Sequence, residues 1–176
     1  MKKVLGVVVA LVLMLAAGNQ SAQAIGVYAD VPLSYTFTFD CSQDCTKKPE
    51  GMKVGMLFGN MGVGMEAYSI KESDAVSSTK VSFSILDFSY LLPIPIINIT
   101  GGIGLGRVDM ETEFGVLQFS GSGGVSQVWV SLGATVLAVV DLHVGYHRVK
   151  ARAQFDGNNS VTLNGNMMSI GAMINF

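Results

Sequence analysis

Counting back from the C-terminus, Phe176, Ile174, Ala172, Ile170 and Met168 alternate with Asn175, Met173, Gly171, Ser169 and Met167. The first set is apolar, and the second is small, flexible or polar. That two-residue period describes a strand with one greasy face. A chain that ends on such a strand, with an aromatic last residue, and begins with an export signal is expected to fold as a membrane-spanning β-barrel.

The export signal is legible in residues 1–24. Lys2 and Lys3 precede an apolar run from Val4 to Ala17, and a small-x-small exit follows at Ala22-Gln23-Ala24. This is the pattern of a secretory signal peptide cleaved after Ala24. Residues 1–24 are thus expected to be removed, leaving one barrel domain of 176 − 24 = 152 residues, 25–176. The run of about fourteen residues falls short of the roughly 20 a helix needs to span a bilayer, so a retained anchor is the lesser reading. The first cysteine is Cys41, too far from the cleavage point for a lipid-anchored terminus.

Loss of Lys2 and Lys3 takes the formal charge from −2 to −4, and no basic tract follows. Nucleic acid is therefore not an expected partner. Beyond residue 24 the nearest candidate for a spanning helix, Tyr90 to Ile99, is broken by Pro93 and Pro95. High hydropathy with 21 glycines and no spanning helix points to a barrel wall, because lipid accepts only helices or closed sheets.

Eight strand-like segments can be marked. The first alternates Val27, Ala29, Val31, Leu33, Tyr35, Phe37 and Phe39 with polar neighbours. The second covers Gly51 to Gly59, and the third continues with Val63, Met65 and Ala67. Ser73 to Lys80 reads as a loop. The fourth strand, Val81 to Leu92, changes phase between Phe83 and Leu86, so a bulge is expected near Ile85. The fifth, Ile97 to Met110, sets Ile97, Ile99, Ile103 and Leu105 against Gly102, Gly104 and Gly106, a glycine face that implies a large neighbour or a narrow barrel. Glu111 to Gly124 reads as a longer loop with an apolar patch, Phe114 to Phe119, able to extend the adjoining strands. The sixth strand, Ser126 to Ala134, leaves Trp129 off the apolar parity, as an interior plug or a misread register. The seventh runs from Val140 to Arg152, and the eighth is the terminal segment from Val161. Longer loops (41–50, 73–80, 111–124, 153–160) alternate with short turns near residues 60, 94 and 137, as in outer-membrane barrels. The expected fold class is all-β: an eight-stranded antiparallel up-and-down transmembrane barrel.

The signal peptide, the terminal SIGAMINF and the segment DLHVGYHRVKAR, with its Gly145-Tyr146 pair, resemble the small eight-stranded bacterial outer-membrane barrels of the outer-membrane protein A and X type. The resemblance covers the whole mature chain and implies an outer-membrane location. It also implies that Phe176, with Ile174, Ala172 and Ile170, is read by the barrel assembly machinery. Its motifs identify an architecture and a compartment, not an activity.

Candidate functional residues are few. Asp30, Lys53, Glu66 and Asp87 fall on interior parities, and buried ions must be paired or hydrated; they read as a structural network filling the lumen or, alternatively, as a narrow ion path. An eight-stranded barrel is only wide enough for side chains, which disfavours an open pore. Asp141, His143 and His147 join the same face, but the two histidines lie roughly 13 Å apart along a strand, too far to share a metal. No serine stands beside either histidine in sequence, so Ser-His hydrolysis is not expected. Cys41 and Cys45 are expected to form a small loop disulfide in an oxidising compartment, in preference to a redox pair or half of a metal site. Tyr28, Tyr35, Phe37, Phe39, Phe88, Tyr90 and Tyr146 are candidates for aromatic girdles. Arg148, Lys150 and Arg152, near the outer rim, are placed to meet lipopolysaccharide phosphates.

The reading is a monomeric, non-enzymatic outer-membrane barrel with a filled polar lumen and a structural or surface-contact role. No cofactor is expected; its partners are outer-membrane lipid, lipopolysaccharide and the assembly machinery. The alternatives are a narrow conduit for small or hydrophobic solutes, a lipid-modifying enzyme, and a soluble periplasmic lipocalin-like binder with its faces reversed.

Overall fold

The computed structural model describes residues 25–38, 46–73, 77–94, 97–137, 139–155 and 159–176. The expected signal peptide with Ala22 and Ala24, the Cys41–Cys45 pair and Phe39 lie outside them. Ten strands are present among the described residues: β1 (Ile25–Phe37), β2 (Thr46–Lys47), β3 (Glu50–Phe58), β4 (Met61–Ser73), β5 (Ser77–Pro93), β6 (Ile97–Phe114), β7 (Leu117–Leu137), β8 (Val140–Phe155), β9 (Ser160–Thr162) and β10 (Gly165–Asn175). β2 and β9 are short flaps on β1 and β8. The other eight run in antiparallel order around a closed wall, because β10 pairs with both β8 and β1. Phe176 N–H donates to Ile25 O at 2.8 Å, so the last residue meets the start of β1 at the seam.

The outside of the wall is apolar. Leu33, Met52, Met65, Phe88, Leu105, Val128, Val144 and Ile170 are all exposed. On β6 the outward face is apolar from Ile97 to Leu105, nine residues, and a strand of that length tilted by ~45° covers about 20 Å of hydrocarbon. Lipid accepts such a wall because every strand is paired on both sides. A reversed, lipocalin-like assignment does not describe this surface, since the charged residues of mid-strand point in.

The strands rise well above the belt on one flank. The segment 111–124, expected as a loop, is strand, folded over a tight turn at Gly115 (φ +59°) with Phe114 opposite Leu117. Its apolar patch thereby lengthens β6 and β7. The loop expected at 73–80 is likewise mostly strand, with Ser73 opposite Ser78. At the other end β3 turns into β4 at Gly59-Asn60, and few residues separate β5 from β6 and β7 from β8.

The expected bulge near Ile85 is not there: β5 pairs without a shift from Ser77 to Pro93. Its apparent change of phase has another cause. Val81, Phe83 and Ile85 are buried inside the loop-side half, while Leu86 and Phe88 face out lower down. The shift lies instead in β1, between Pro32 and Ser34. Proline offers no N–H to the ladder, so the register breaks there. Leu33 still faces out, whereas Tyr35 turns in and is fully buried. Tyr35 and Tyr28 are therefore interior residues and not girdle aromatics; Tyr146, Phe88 and Tyr90 remain on the outer wall.

The glycine face of β6 admits large neighbours. A Cβ at Gly102 would sit 2.6 Å from the Trp129 ring and from Phe88 O. Gly101, facing out, has nothing nearer than 3.8 Å. Gly102→Leu is accordingly expected to lower stability by about 1–3 kcal/mol through overpacking, and Gly101→Ala to leave it unchanged, measured by urea unfolding of the refolded protein in detergent.

Candidate functional site

The lumen has three storeys. In the loop-side storey Tyr35, Tyr68, Phe83, Val108, Val149 and Met167 belong to one buried apolar cluster. The Tyr68 and Phe83 rings stack at 4.6 Å, and Tyr35 packs on Phe83 at 5.7 Å. Tyr35 also donates its hydroxyl to Leu163 O at 2.7 Å, tying the plug to the segment before β10. The expected polar filling is thus only half the account, because this end of the lumen is closed by hydrocarbon.

The middle storey is polar, and strand register builds it. Asp30 stands opposite Lys53, and Lys53 opposite Glu66, on β1, β3 and β4. Across the lumen Asp87 is the hub. It accepts from Gln127 Nε2 at 2.8 Å and Trp129 Nε1 at 3.2 Å, and Lys53 Nζ lies 3.5 Å from its other oxygen. Gln127 Nε2 also donates to Glu66 Oε2 at 2.6 Å. The ammonium of Lys53 is 3.3 Å from the Trp129 ring centroid, a cation–π contact with no water between. All of these side chains are buried, Asp87 completely.

His147 closes the network on the β8 side. Because the amide nitrogen of Gln127 serves two carboxylates, its oxygen faces the ring and accepts from Nδ1 at 3.4 Å. That leaves Nε2 to accept from the Ser169 hydroxyl at 3.1 Å. Glu66 lies 3.8 Å from Nδ1. No serine stands beside either histidine in sequence, but β10 pairs with β8 and brings Ser169 to His147 from 22 residues away. A serine, a histidine and a carboxylate in this order are the elements of a hydrolytic triad. Here they are sealed. Ser169 and His147 are 2% and 1% exposed.

His143, two turns of the pleat away, does a separate job. It contacts Asp30 directly, next to Gly171, whose missing Cβ leaves room for both side chains. Asp141 accepts from Asn98 Nδ2 at 2.7 Å and Asn175 Nδ2 at 2.8 Å. Asp30, Asn98, Asp141 and His143 line a cavity at the turn-side mouth, walled also by Tyr28, Thr100, Trp129 and Ser131, with a volume of about 20 Å³. That is room for about one water. Trp129, Lys53 and Asp87 lie above it and the apolar plug above them, so the mouth is blind. No three His, Cys, Asp or Glu side chains among the described residues converge as metal ligands.

The structure thus gathers Asp30, Lys53, Glu66, Asp87, Asp141, His143 and His147 inside one lumen, as two groups in place of one. Gln127, Ser169, Asn98 and Asn175 escaped sequence reasoning. Each lies on the polar parity of its strand, the only signal available for it. Ile174 and Ile170 face out beside the seam, Ala172 is half-buried, and Phe176 is exposed at the chain end.

No family model and no curated protein matches the sequence. Solved structures do match in fold. Neisserial surface protein A (NspA) aligns over 89% of this chain and 98% of its own, at TM-score 0.64 and 13% identity. Ail, the attachment invasion locus protein of Yersinia pestis, aligns over 89% and 100% at TM-score 0.64 and 11% identity. The outer membrane protein OprG of Pseudomonas aeruginosa aligns over 88% and 96% at TM-score 0.54 and 12% identity. The chain has the fold of the small bacterial outer-membrane barrels, and its apolar exterior suits that membrane.

Two outcomes test this description. Lys53→Ala, which leaves Asp87 buried beside no cation, is expected to cost about 3–5 kcal/mol in urea unfolding, whereas the double change Lys53→Met with Asp87→Leu recovers most of it. A fluorophosphonate probe is expected to leave Ser169 unlabelled in the folded protein, read by mass spectrometry.

Proposed function

We propose that this protein is an integral outer-membrane barrel with a structural and surface-contact role, acting through its outer wall and its tall loop-side strands and not through its lumen. The observation that carries this reading is the apolar plug. Tyr35, Tyr68, Phe83, Val108, Val149 and Met167 fill the lumen above a charged layer that is itself tightly bonded. A permeating ion would have to cross both, and beyond the hydroxyls of Tyr35 and Tyr68 the plug offers it only hydrocarbon. Passage of solute therefore requires unpacking a core and not opening a gate.

The same sealing supports a non-catalytic role. The Ser169-His147-Glu66 grouping serves to hold β10 and β8 in register from inside, with hydrogen bonds that run between strands. The exposed face offers more. Phe114, Val116, Leu117 and Phe119 crown the β6–β7 hairpin, each more than half exposed, on a polar stem that includes Asp109, Glu111 and Glu113. A chain that spends its interior on rigidity and its height on an exposed hairpin suits contact at the cell surface. It acts as a monomer and is inserted by the barrel assembly machinery through the terminal strand ending at Phe176.

The test is conductance. Purified protein in planar bilayers is expected to show no discrete current steps, while fractionation recovers it in the outer membrane with heat-modifiable migration on gels. Reproducible single-channel steps from folded protein would return the conduit reading to first place.

A further inference from the structure

Basic side chains stand around the loop-side rim, but their partners differ by flank. Lys47 pairs with Glu72 at 2.6 Å, Lys71 with Glu50 at 3.6 Å, and Arg107 with Asp109 at 2.8 Å. On β8, Arg148, Lys150 and Arg152 project outward from one face of the strand. Their neighbours across the ladder are uncharged: Val128, Ser126 and Gly124 on β7, and Asn166 on β10 beside Arg148. Among the described residues no carboxylate pairs with any of the three. Among the described residues Arg152 donates to the Ser160 hydroxyl, from Nε at 3.0 Å and Nη2 at 2.7 Å.

Their height is defined by the belt. The apolar outer face of β8 ends at Tyr146, that of β10 at Met168 and that of β7 at Val128. Arg148 is the next outward residue after Tyr146, about 7 Å further along the strand. This is where hydrocarbon gives way to headgroups. Beside it Thr38, Tyr146, Arg148, Lys150, Asn164 and Asn166 line a surface groove of about 270 Å³. Asn164 uses its side-chain oxygen to accept from Ala151 N–H at 3.0 Å, so its amide nitrogen remains a donor.

We propose that this groove binds the phosphorylated sugar headgroup of an outer-leaflet glycolipid. Arg148 and Lys150 take the phosphate, Arg152 adds a third cation above it, and Asn164 and Asn166 serve the sugar hydroxyls. The acyl chains lie below on Tyr146, Val144 and Val130. Guanidinium is suited to bidentate phosphate contacts, and three cations on one strand without carboxylates would repel one another unless an anion lay among them. A lipid is favoured over a free phosphate because the groove continues directly into the apolar belt. The inference rests on the outer-membrane reading and gives that outer wall a defined ligand.

The experiment uses the full mature barrel refolded into phosphatidylcholine vesicles, alone or doped with bisphosphorylated lipid A or with its dephosphorylated form. Native mass spectrometry counts the lipid retained per barrel, and the heat-modifiable gel shift reports folding. Wild type is expected to retain the phosphorylated lipid, with Arg148→Gln/Lys150→Gln/Arg152→Gln retaining at least about tenfold less, as two or more lost charge-assisted contacts imply. The triple variant should keep the wild-type gel shift in plain phosphatidylcholine. Lys47→Gln/Lys71→Gln, which removes cations already paired, should retain lipid as wild type does. Equal retention by wild type and the triple variant would overturn the site, as would retention of the dephosphorylated lipid at the same level or its loss to millimolar free phosphate. Failure of the wild type to insert into any vesicle is a different result and would sink the outer-membrane reading itself.

Discussion

The antiparallel seam between β1 and β10 is the contact on which everything else depends. In hydrocarbon an unpaired strand edge leaves a column of N–H and C=O groups without partners, and each costs several kcal/mol. Only closure removes that column, and closure here joins the first described strand to the last, from Gly26 opposite Asn175 to Phe37 opposite Gly165. The one irregularity in this seam is at Pro32, which has no N–H to leave unpaired. The bulge there also rotates Tyr35 from the lipid side into the lumen. A residue that weakens the ladder locally thus supplies the hydroxyl that ties the plug to Leu163.

Once the wall is closed, the width of the lumen decides what fills it. Eight strands leave space for side chains and little more, so bulk on one strand is met by glycine on another. Trp129 lies on Gly102, Asp87 and Gln127 crowd Gly104, and Asp30 and His143 share the space over Gly171. This pairing is also why the polar layer is dry enough for charge to matter. Lys53 is enclosed by Asp87 and the indole of Trp129, and a carboxylate such as Asp87 is tolerable there because two hydrogen bonds and the Lys53 cation converge on it. The network and the plug are two solutions to the same filling problem, one by hydrogen bonds and one by dispersion.

Much of this was legible in the sequence because a barrel alternates with period two, and the lipid face must be apolar. Ile97 to Leu105 and Met168 to Ile174 could be read directly. What escaped was anything that broke the assumption of a polar inside. Val81, Phe83 and Ile85 are apolar and inward, so β5 reads as a phase slip although its pairing is continuous, and Tyr35 follows a bulge that the unbroken alternation of β1 conceals. The length of β6 and β7 was hidden for a related reason. Above the membrane neither face must be apolar, so Glu111 to Gly124 loses its alternation without ceasing to be strand. Ser169 beside His147 could not be read at all, since their meeting is a matter of register between β8 and β10.

The distribution of satisfied and unsatisfied charge argues where the protein acts. Inside, Asp87, Glu66 and Asp141 have donors, Asp30 has His143, and Lys53 has a carboxylate and an aromatic face. What polar capacity the lumen keeps, at Lys53 Nζ, Asp87 Oδ2 and Asp141 Oδ1, is buried below the apolar plug. Outside, Lys47, Lys71 and Arg107 are matched by Glu72, Glu50 and Asp109, whereas the three cations of β8 have no carboxylate partner among the described residues. Unpaired surface cations are individually cheap in water, so their presence alone carries no stability argument. Three on one outward face, stacked directly above an apolar belt, form an arrangement that an isolated barrel in water has no reason to keep. It becomes favourable when anionic headgroups stand at that height, where low dielectric on the membrane side strengthens each contact. The cations left open at the surface therefore point along the wall, at the height of the headgroups.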